Sequence, residues 1–295
     1  NSLFKSMKSI VKIFAVFLIS INYFSISFAN SIPSSFADLA ERLMPSVVNI
    51  STTTTVTTRS NPLPFEFPPG SPFEDMFGTP QQRQTSALGS GFIIDEEGIV
   101  ITNNHVIQGA QDIVVRVNGD KDYKAKVLGA DAGMDLAVLK IESDEKFKPV
   151  NFGNSDKARI GDWVIAIGNP FGLGGTVTAG IISARNRSIG LSRYEDYIQT
   201  DASINQGNSG GPLFNMAGDV IGINTAILGQ SGSIGIGFAI PSNSAQKVIK
   251  QLIEFGETKR GWLGVRIQVV DQGIADAENL DKPRGALVAS VAENS

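Results

Sequence analysis

The sequence predicts a mostly β protein, and three observations carry that reading. From about residue 89 to 240 the chain runs as short β-branched and apolar segments punctuated by glycine. Few helical stretches separate those segments, which argues for an antiparallel barrel or sandwich over a parallel α/β sheet. Only one long amphipathic pattern appears, and it follows the last of the strands. At 295 residues, 42% hydrophobic and 18% charged, the chain is long enough for one large or two modest globular domains with real cores.

The first residues read as a signal for export. Lys5, Lys8 and Lys12 precede an apolar run from Ile13 to about Phe24, and small residues follow up to Ala29. That is a secretory layout covering residues 1–29, with cleavage expected after Ala29. A transmembrane anchor is the alternative, but it needs about 20 apolar residues. Here Ser20, Asn22 and Ser25 interrupt the run, and Met7 is a candidate start because residue 1 is Asn. Cleavage removes three lysines and no acids, so the formal net charge goes from -4 to -7. An acidic, exported chain without cysteine suits a bacterial periplasm better than a disulfide-rich extracellular space.

Next, "SSFADLAERLMPSV" reads as a short amphipathic helix, with Ser35 and Asp38 spaced as a capping box and Pro45 closing it. "VVNISTTTTVTT" is β-branched and strand-like. Residues 58–87 hold six of the 13 prolines, so they read as a long loop. That loop is either a spacer or a docking element, since Phe65, Phe67, Phe73 and Phe77 are costly to leave in water. The strand candidates follow: "SGFIID-EEG-IVIT", "DIVVRVN", "YKAKVLGAD", "DLAVLKI", "DWVIAIG", "TVTAGIISA", "YIQTD", "DVIGINTAI" and "IGFAIP". "SNSAQKVIKQLIEFGE" is then a helix, with Ser242 as N-cap, Gly256 near its end, and Ala245, Val248, Ile249, Leu252 and Ile253 as its apolar stripe. It closes a domain near residue 258. "RGWLGVRIQVV" begins another unit that is incomplete at Ser295.

Composition excludes several chemistries. There is no Cys and one His, so thiol catalysis, disulfides and zinc sites of N and S ligands are ruled out. Oxygen-ligand metals such as calcium stay open, although no loop has the acidic spacing they need. A pI near 5.2 gives no basic footprint for nucleic acid. "GNPFGLGG" lacks the Lys-Ser/Thr of a phosphate loop and reads as a turn.

One stretch does suggest chemistry. "NQGNSGGPLF" surrounds Ser209 with turn residues, and turn vocabulary alone would make it a turn. A serine becomes a nucleophile only when a base takes its proton, and the only imidazole is His105, in the loop after a strand. Taken singly, a lone histidine is more often structural. A third group must orient the imidazole, and Asp135, an acid opening an apolar strand, is the best candidate; it also reads as a strand-start cap. "GNSGG" satisfies the nucleophile elbow of α/β-hydrolases too, but their order requires a histidine after the serine, and none follows Ser209. That disfavours a lipase or esterase. The subtilisin order would need a partner before His105, such as Asp95, and a parallel sheet. His105, Asp135, Ser209 on a β-rich chain matches the chymotrypsin order. The backbone N–H groups of the Gly207, Asn208, Ser209 stretch are then the candidate oxyanion hole, Gly207 and Ser209 as donors with Asn208 between them.

"TNNHV", "DLAVLK", "AIGNPFGLGGTVTAGIISA", "IQTDASINQGNSGGPL" and "GINTAI...IGIGFAIP" resemble, in order from about residue 36 to 260, the HtrA/Deg family of periplasmic serine proteases. The resemblance implies two six-stranded antiparallel β-barrels of chymotrypsin type over residues 30–258, with His105 as general base, Asp135 as its orienter and Ser209 as nucleophile. It implies a homo-trimer or a higher oligomer of trimers acting on unfolded polypeptides, no cofactor, no metal and no nucleic acid, and it allows peripheral membrane association. By the same resemblance Ile204 and Ile236 line an apolar substrate pocket, or else are plain core. Arg187, in "RNRSIGLSRYEDY", belongs to a regulatory loop or is simply solvated. "GWLG", Gly261 to Gly264, resembles the opening of a PDZ domain, truncated here within residues 259–295. The function implied is an ATP-independent serine endopeptidase of protein quality control. The alternative is a chaperone-like binder with a resting, inactive triad.

Overall fold

The computed structural model describes residues 33–58, 81–119, 121–169, 175–190, 194–205, 207–227, 235–261 and 263–292. The expected signal segment lies outside them, as do residues 59–80 of the Pro-rich loop and Trp262. The described residues divide after Asp38 into two units. The Ser35 hydroxyl accepts the Ala37 N–H at 3.0 Å, which opens helix α1, Ala37–Leu43.

The second unit is built on two closed barrels, each six-stranded and antiparallel. The first contains β1 (Val47–Thr58), β2 (Gln81–Ile93), β3 (Ile99–Thr102), β4 (Asp112–Val117), β5 (Lys121–Asp131) and β6 (Leu136–Ile141), with the one-turn helix α2 (Asn104–Ile107) between β3 and β4. Around the barrel the order is β1-β2-β3-β6-β5-β4, and β4 closes on β1 with Ile50 opposite Val115. The second contains β7 (Trp163–Gly168), β8 (Thr176–Arg187), β9 (Tyr197–Thr200), β10 (Pro212–Phe214), β11 (Val220–Ile227) and β12 (Gly237–Pro241), in the order β10-β11-β12-β9-β8-β7. Closure leaves no unpaired edge to recruit another strand. The alternation of apolar and polar residues points one set inward: Val48, Ile50, Val115 and Leu139 in the first barrel, Val164, Ile182, Ile198 and Leu213 in the second. Phe92, Phe214 and Phe238 are buried completely, each contributing roughly 1.5–3 kcal/mol.

The structure departs from the sequence reading at β2, at β10 and at the start of α3. Residues 81–87, assigned to the loop, are strand: β1 is paired with β2 throughout, from Gln81 opposite Thr58 to Phe92 opposite Val47. "QQRQTS" has no apolar alternation, so its pairing is decided by its long threonine-rich partner. β10 is only three residues long and emerges directly from a glycine turn, so no period could announce it. Ser242 is not the N-cap of helix α3, Ser242–Phe255; Pro241 holds that position, and the Ser242 hydroxyl donates to Gly153 O at 2.7 Å. Ala245, Val248, Ile249 and Leu252 are buried as expected, but Ile253 is 46% exposed. Gly256 ends the helix at φ 76.

The barrels meet through a few specific contacts. Phe92 on β2 and Phe152 lie edge to face, ring centroids 5.9 Å apart, and Gly153 N–H donates to Val220 O on β11 at 2.9 Å. Beyond α3, β13 (Val265–Val269) and β14 (Ala286–Val291) form a two-stranded sheet with helix α4 (Gln272–Ala277) between them. Among the described residues no helix is long and apolar enough to cross a membrane.

Candidate active site

His105 sits in α2, just beyond β3, with buried Asn103 as its N-cap. The sequence anticipated a loop; the chain instead makes one helical turn there. Asp135 closes the turn between β5 and β6 with φ 54, a left-handed conformation that aspartate tolerates better than most residues. The turn is held from within, because Asp131 Oδ1 accepts the Met134 N–H at 2.9 Å. From outside, Asn103 Nδ2 donates to Asp135 O at 2.8 Å.

The Asp135 carboxylate grips residue 105 twice. Oδ1 accepts the His105 backbone N–H at 2.9 Å, and Oδ2 lies 2.7 Å from ring Nδ1. A carboxylate is acceptor-only, so the Nδ1 side of the ring carries hydrogen and Nε2 keeps its lone pair. Oδ2 also accepts the Thr225 hydroxyl at 2.7 Å, across 90 residues of chain, from β11 of the other barrel. The imidazole is 47% exposed and the carboxylate 23%, so the ring faces solvent while its orienter is sheltered. Behind the turn, buried Tyr197 is pushed up to about 12 by burial and then by the negative charges of Glu195 and Asp135; it stays neutral.

Ser209 lies in the turn of residues 207–211 that leads into β10. Gly210 shows why the turn needs glycine. Its φ is 82, and a Cβ there would stand 2.3 Å from Ser90 O and 2.4 Å from Thr102 Oγ1. The same contact places Ser209's neighbour against Asn103, two residues before His105. Gly210 N–H donates to Asn224 O at 2.8 Å, one residue before Thr225. Serine, histidine and aspartate thus converge where the barrels meet. Among the described residues no hydrogen bond links Ser209 to His105. Such bonds are often long in unliganded enzymes and tighten on substrate binding.

In the oxyanion stretch, the Gly207 and Ser209 N–H groups donate to nothing among the described residues. Asn208 differs. Its N–H donates to Asn205 O at 3.0 Å, and its side chain bonds Asn205 N and Ser203 O, both at 2.9 Å, so Asn208 braces the loop and offers no donor. Ile204 is fully buried in the core of the second barrel, packed where a Cβ of Gly237 would stand; Ile236, next to that glycine, is partly exposed. Arg187 ends β8, exposed, with Nε donating to Gln199 Oε1 at 3.1 Å. Among the described residues no cluster of acids and histidine is placed to hold a metal ion.

A family model described as "Trypsin-like peptidase domain" matches residues 89–223, which hold His105, Asp135 and Ser209. The solved structure "HtrA-type protease AlgW with decapeptide" is 44% identical with a TM-score of 0.71, covering 88% of this chain and 80% of that one. The chain belongs to the HtrA family of serine proteases. The same HtrA-type protease with a tripeptide matches at 42% identity and TM-score 0.73, over 88% of this chain and 77% of that one. Curated relatives bear the name "Probable periplasmic serine endoprotease DegP-like". The Brucella suis biovar 1 (strain 1330) protein is 46% identical over 287 residues, covering 86% of this chain and 56% of its own length. That of Marinomonas sp. (strain MWYL1) is 49% identical over 282 residues, covering 90% and 60%. This HtrA-type chain therefore spans less than two thirds of those relatives.

Thr225, Asn103 and Ser90 were missed by sequence reasoning. The available signal was a polar residue inside an otherwise apolar strand or strand end, as in "GINTAI".

Proposed function

We propose that this chain is the proteolytic part of an exported, ATP-independent serine endopeptidase that degrades unfolded or damaged proteins. The observation that carries the reading is the Asp135 carboxylate, clamped on both the backbone and ring of His105 and braced by Thr225 from the second barrel. In the reaction, His105 Nε2 takes the Ser209 hydroxyl proton as Oγ attacks the substrate carbonyl carbon. The Gly207 and Ser209 N–H groups receive the developing oxyanion. His105⁺ then gives its proton to the leaving amine, and the acyl-enzyme remains on Ser209. Water, deprotonated by the same imidazole, attacks the ester; the ester C–O bond then breaks, His105⁺ returns the proton to Ser209 Oγ, and the acid is released.

Ile204, fully buried in the second barrel, is core and not pocket lining, whereas Ile236 is partly exposed and favours a small apolar side chain on the acyl side of the cut bond. Such residues are buried in folded proteins and exposed in unfolded ones, which favours damaged substrates. Family membership supports assembly as trimers, a cleaved signal segment, periplasmic residence and a PDZ-like unit beginning near residue 259. The expected contact of Arg187 is with a neighbouring domain or subunit.

The rival reading, carried over from the sequence, is a chaperone-like binder whose triad rests until substrate arrives. One experiment separates the two. The wild type should cleave an unfolded, disulfide-free substrate and be labelled by a fluorophosphonate, and Ser209→Ala should do neither. A wild type that does neither at any temperature, yet suppresses aggregation, leaves the binder.

A further inference from the structure

We propose that Ser90, on β2 of the first barrel, is the positioning residue that holds the oxyanion loop of the second barrel in its working conformation. The inference rests on the protease reading above and extends it to a residue in the other barrel.

Ser90 is completely buried, yet each of its polar groups has a partner around the nucleophile turn. Its hydroxyl is 2.6 Å from Gly207 O and 2.8 Å from Asn169 N. A backbone N–H can only donate, so the hydroxyl accepts from Asn169 and must spend its single proton on Gly207 O. The direction of the chain is therefore determined by the chemistry of its ends. Ser90 N–H donates to Ser209 O at 2.9 Å, and Ser90 O accepts the Thr102 hydroxyl at 2.7 Å. One residue thus holds the carbonyls of both candidate oxyanion donors, Gly207 and Ser209.

The consequence follows from planar peptides. The 207–208 unit is held at its carbonyl by Ser90 and at its N–H by Asn205 O. The 208–209 unit is held at its carbonyl by the Gly211 N–H at 3.0 Å, which leaves the Ser209 N–H on the opposite side and free. The loop has no slack beneath it, since a Cβ on Gly168 would stand 2.4 Å from Asn208 Cβ and 2.9 Å from Gly207 O. Asn169 is itself anchored, its carbonyl accepting from Asn49 Nδ2 at 2.9 Å, so the clamp runs between the barrels through buried groups. Without the hydroxyl, Gly207 O and Asn169 N–H both lose a buried partner. Glycine offers little resistance to rotation of the 207–208 unit, and rotation there disturbs the aim of both neighbouring N–H groups.

The test uses Ser90→Ala and Ser90→Thr in the otherwise intact chain, with an apolar chromogenic peptide as substrate. Removing one oxyanion donor outright costs about 100- to 1000-fold, so misaiming the pair should lower kcat by about 10- to 100-fold in Ser90→Ala. KM should stay within about twofold, and affinity for a peptide boronate, whose tetrahedral adduct fills the oxyanion site, should fall in step with kcat. Peptide binding in the Ser209→Ala background should be unchanged by adding Ser90→Ala. Ser90→Thr retains the donor and should recover kcat to within about threefold of wild type. A Ser90→Ala enzyme with kcat within twofold of wild type overturns the proposal, as does a folded Ser90→Thr enzyme as impaired as Ser90→Ala, or peptide affinity falling as far as boronate affinity. A wild type that neither cleaves nor takes up the boronate overturns the protease reading itself, a failure distinct from an active wild type indifferent to residue 90.

Discussion

Replacing Thr225 by valine should slow the chemical step about tenfold while leaving the fold intact. The Asp135 carboxylate has three donors: His105 N–H on Oδ1, and His105 Nδ1 and Thr225 Oγ1 on Oδ2. Thr225→Val keeps shape and removes one of them. A hydrogen bond to a charged group contributes about 1.5–3 kcal/mol, and each ~1.4 kcal/mol is a factor of ten in rate. Asp135 is 23% exposed, so water can replace part of the lost bond, which selects the lower end of that range. Thr225 itself is 8% exposed and its methyl is retained, so the melting temperature should move little. Steady-state kinetics on the chromogenic peptide should show the loss in kcat, with KM unchanged, because the hydroxyl orients the base and does not touch the substrate. Activity within twofold of wild type, or a loss confined to KM, would refute the assignment of Thr225 as a brace for the carboxylate that orients His105.

Two further outcomes follow from the geometry. Gly210→Ala should abolish fluorophosphonate labelling even where the protein folds, because the new Cβ would lie 2.3 Å from Ser90 O at a φ of 82; labelling at the wild-type rate would contradict the packing described. Asp131 predicts a pH dependence of stability, read by thermal melts from pH 7 to pH 2. Burial pushes its carboxyl up, but the Thr258 hydroxyl, the Met134 N–H and the Arg260 guanidinium, 2.6 Å away, outweigh burial and hold it below its ordinary 3.8. A group depressed on folding stabilises fully above its unfolded value, and that contribution is lost as pH falls through the folded value. The wild type should therefore lose stability below about pH 4 more steeply than Asp131→Asn, and parallel curves would argue against the pair.

The strand periods placed most of both barrels, because alternation of apolar and polar residues is a local property and the barrels keep it. β2 shows the limit. Residues 81–87 carry no alternation, yet they pair with β1 from Gln81 onward, since a ladder depends on the partner's backbone and not on the strand's own side chains. At the N-terminus of α3, the hydroxyl of Ser242 was the obvious cap by type and position; it was drawn instead to a carbonyl 89 residues earlier.

The active site divides in the same way. Chemical scarcity identifies His105 from sequence, since no other imidazole exists; chain order disfavours the α/β-hydrolase and subtilisin arrangements, and the resemblance to the HtrA/Deg family assigns Asp135 and Ser209 their roles. Each of those residues announces itself by its own functional group. Thr225 and Ser90 do not, because a hydroxyl in a strand has no meaning until its partner is known, and the partners lie 90 and 117 residues away. The sequence by itself determined which groups could do chemistry and the class of fold that would carry them. Only the tertiary structure decided which polar groups hold that chemistry in place, because closing two barrels against each other brings distant hydrogen-bonding groups to about 2.7 Å, a distance no local pattern encodes.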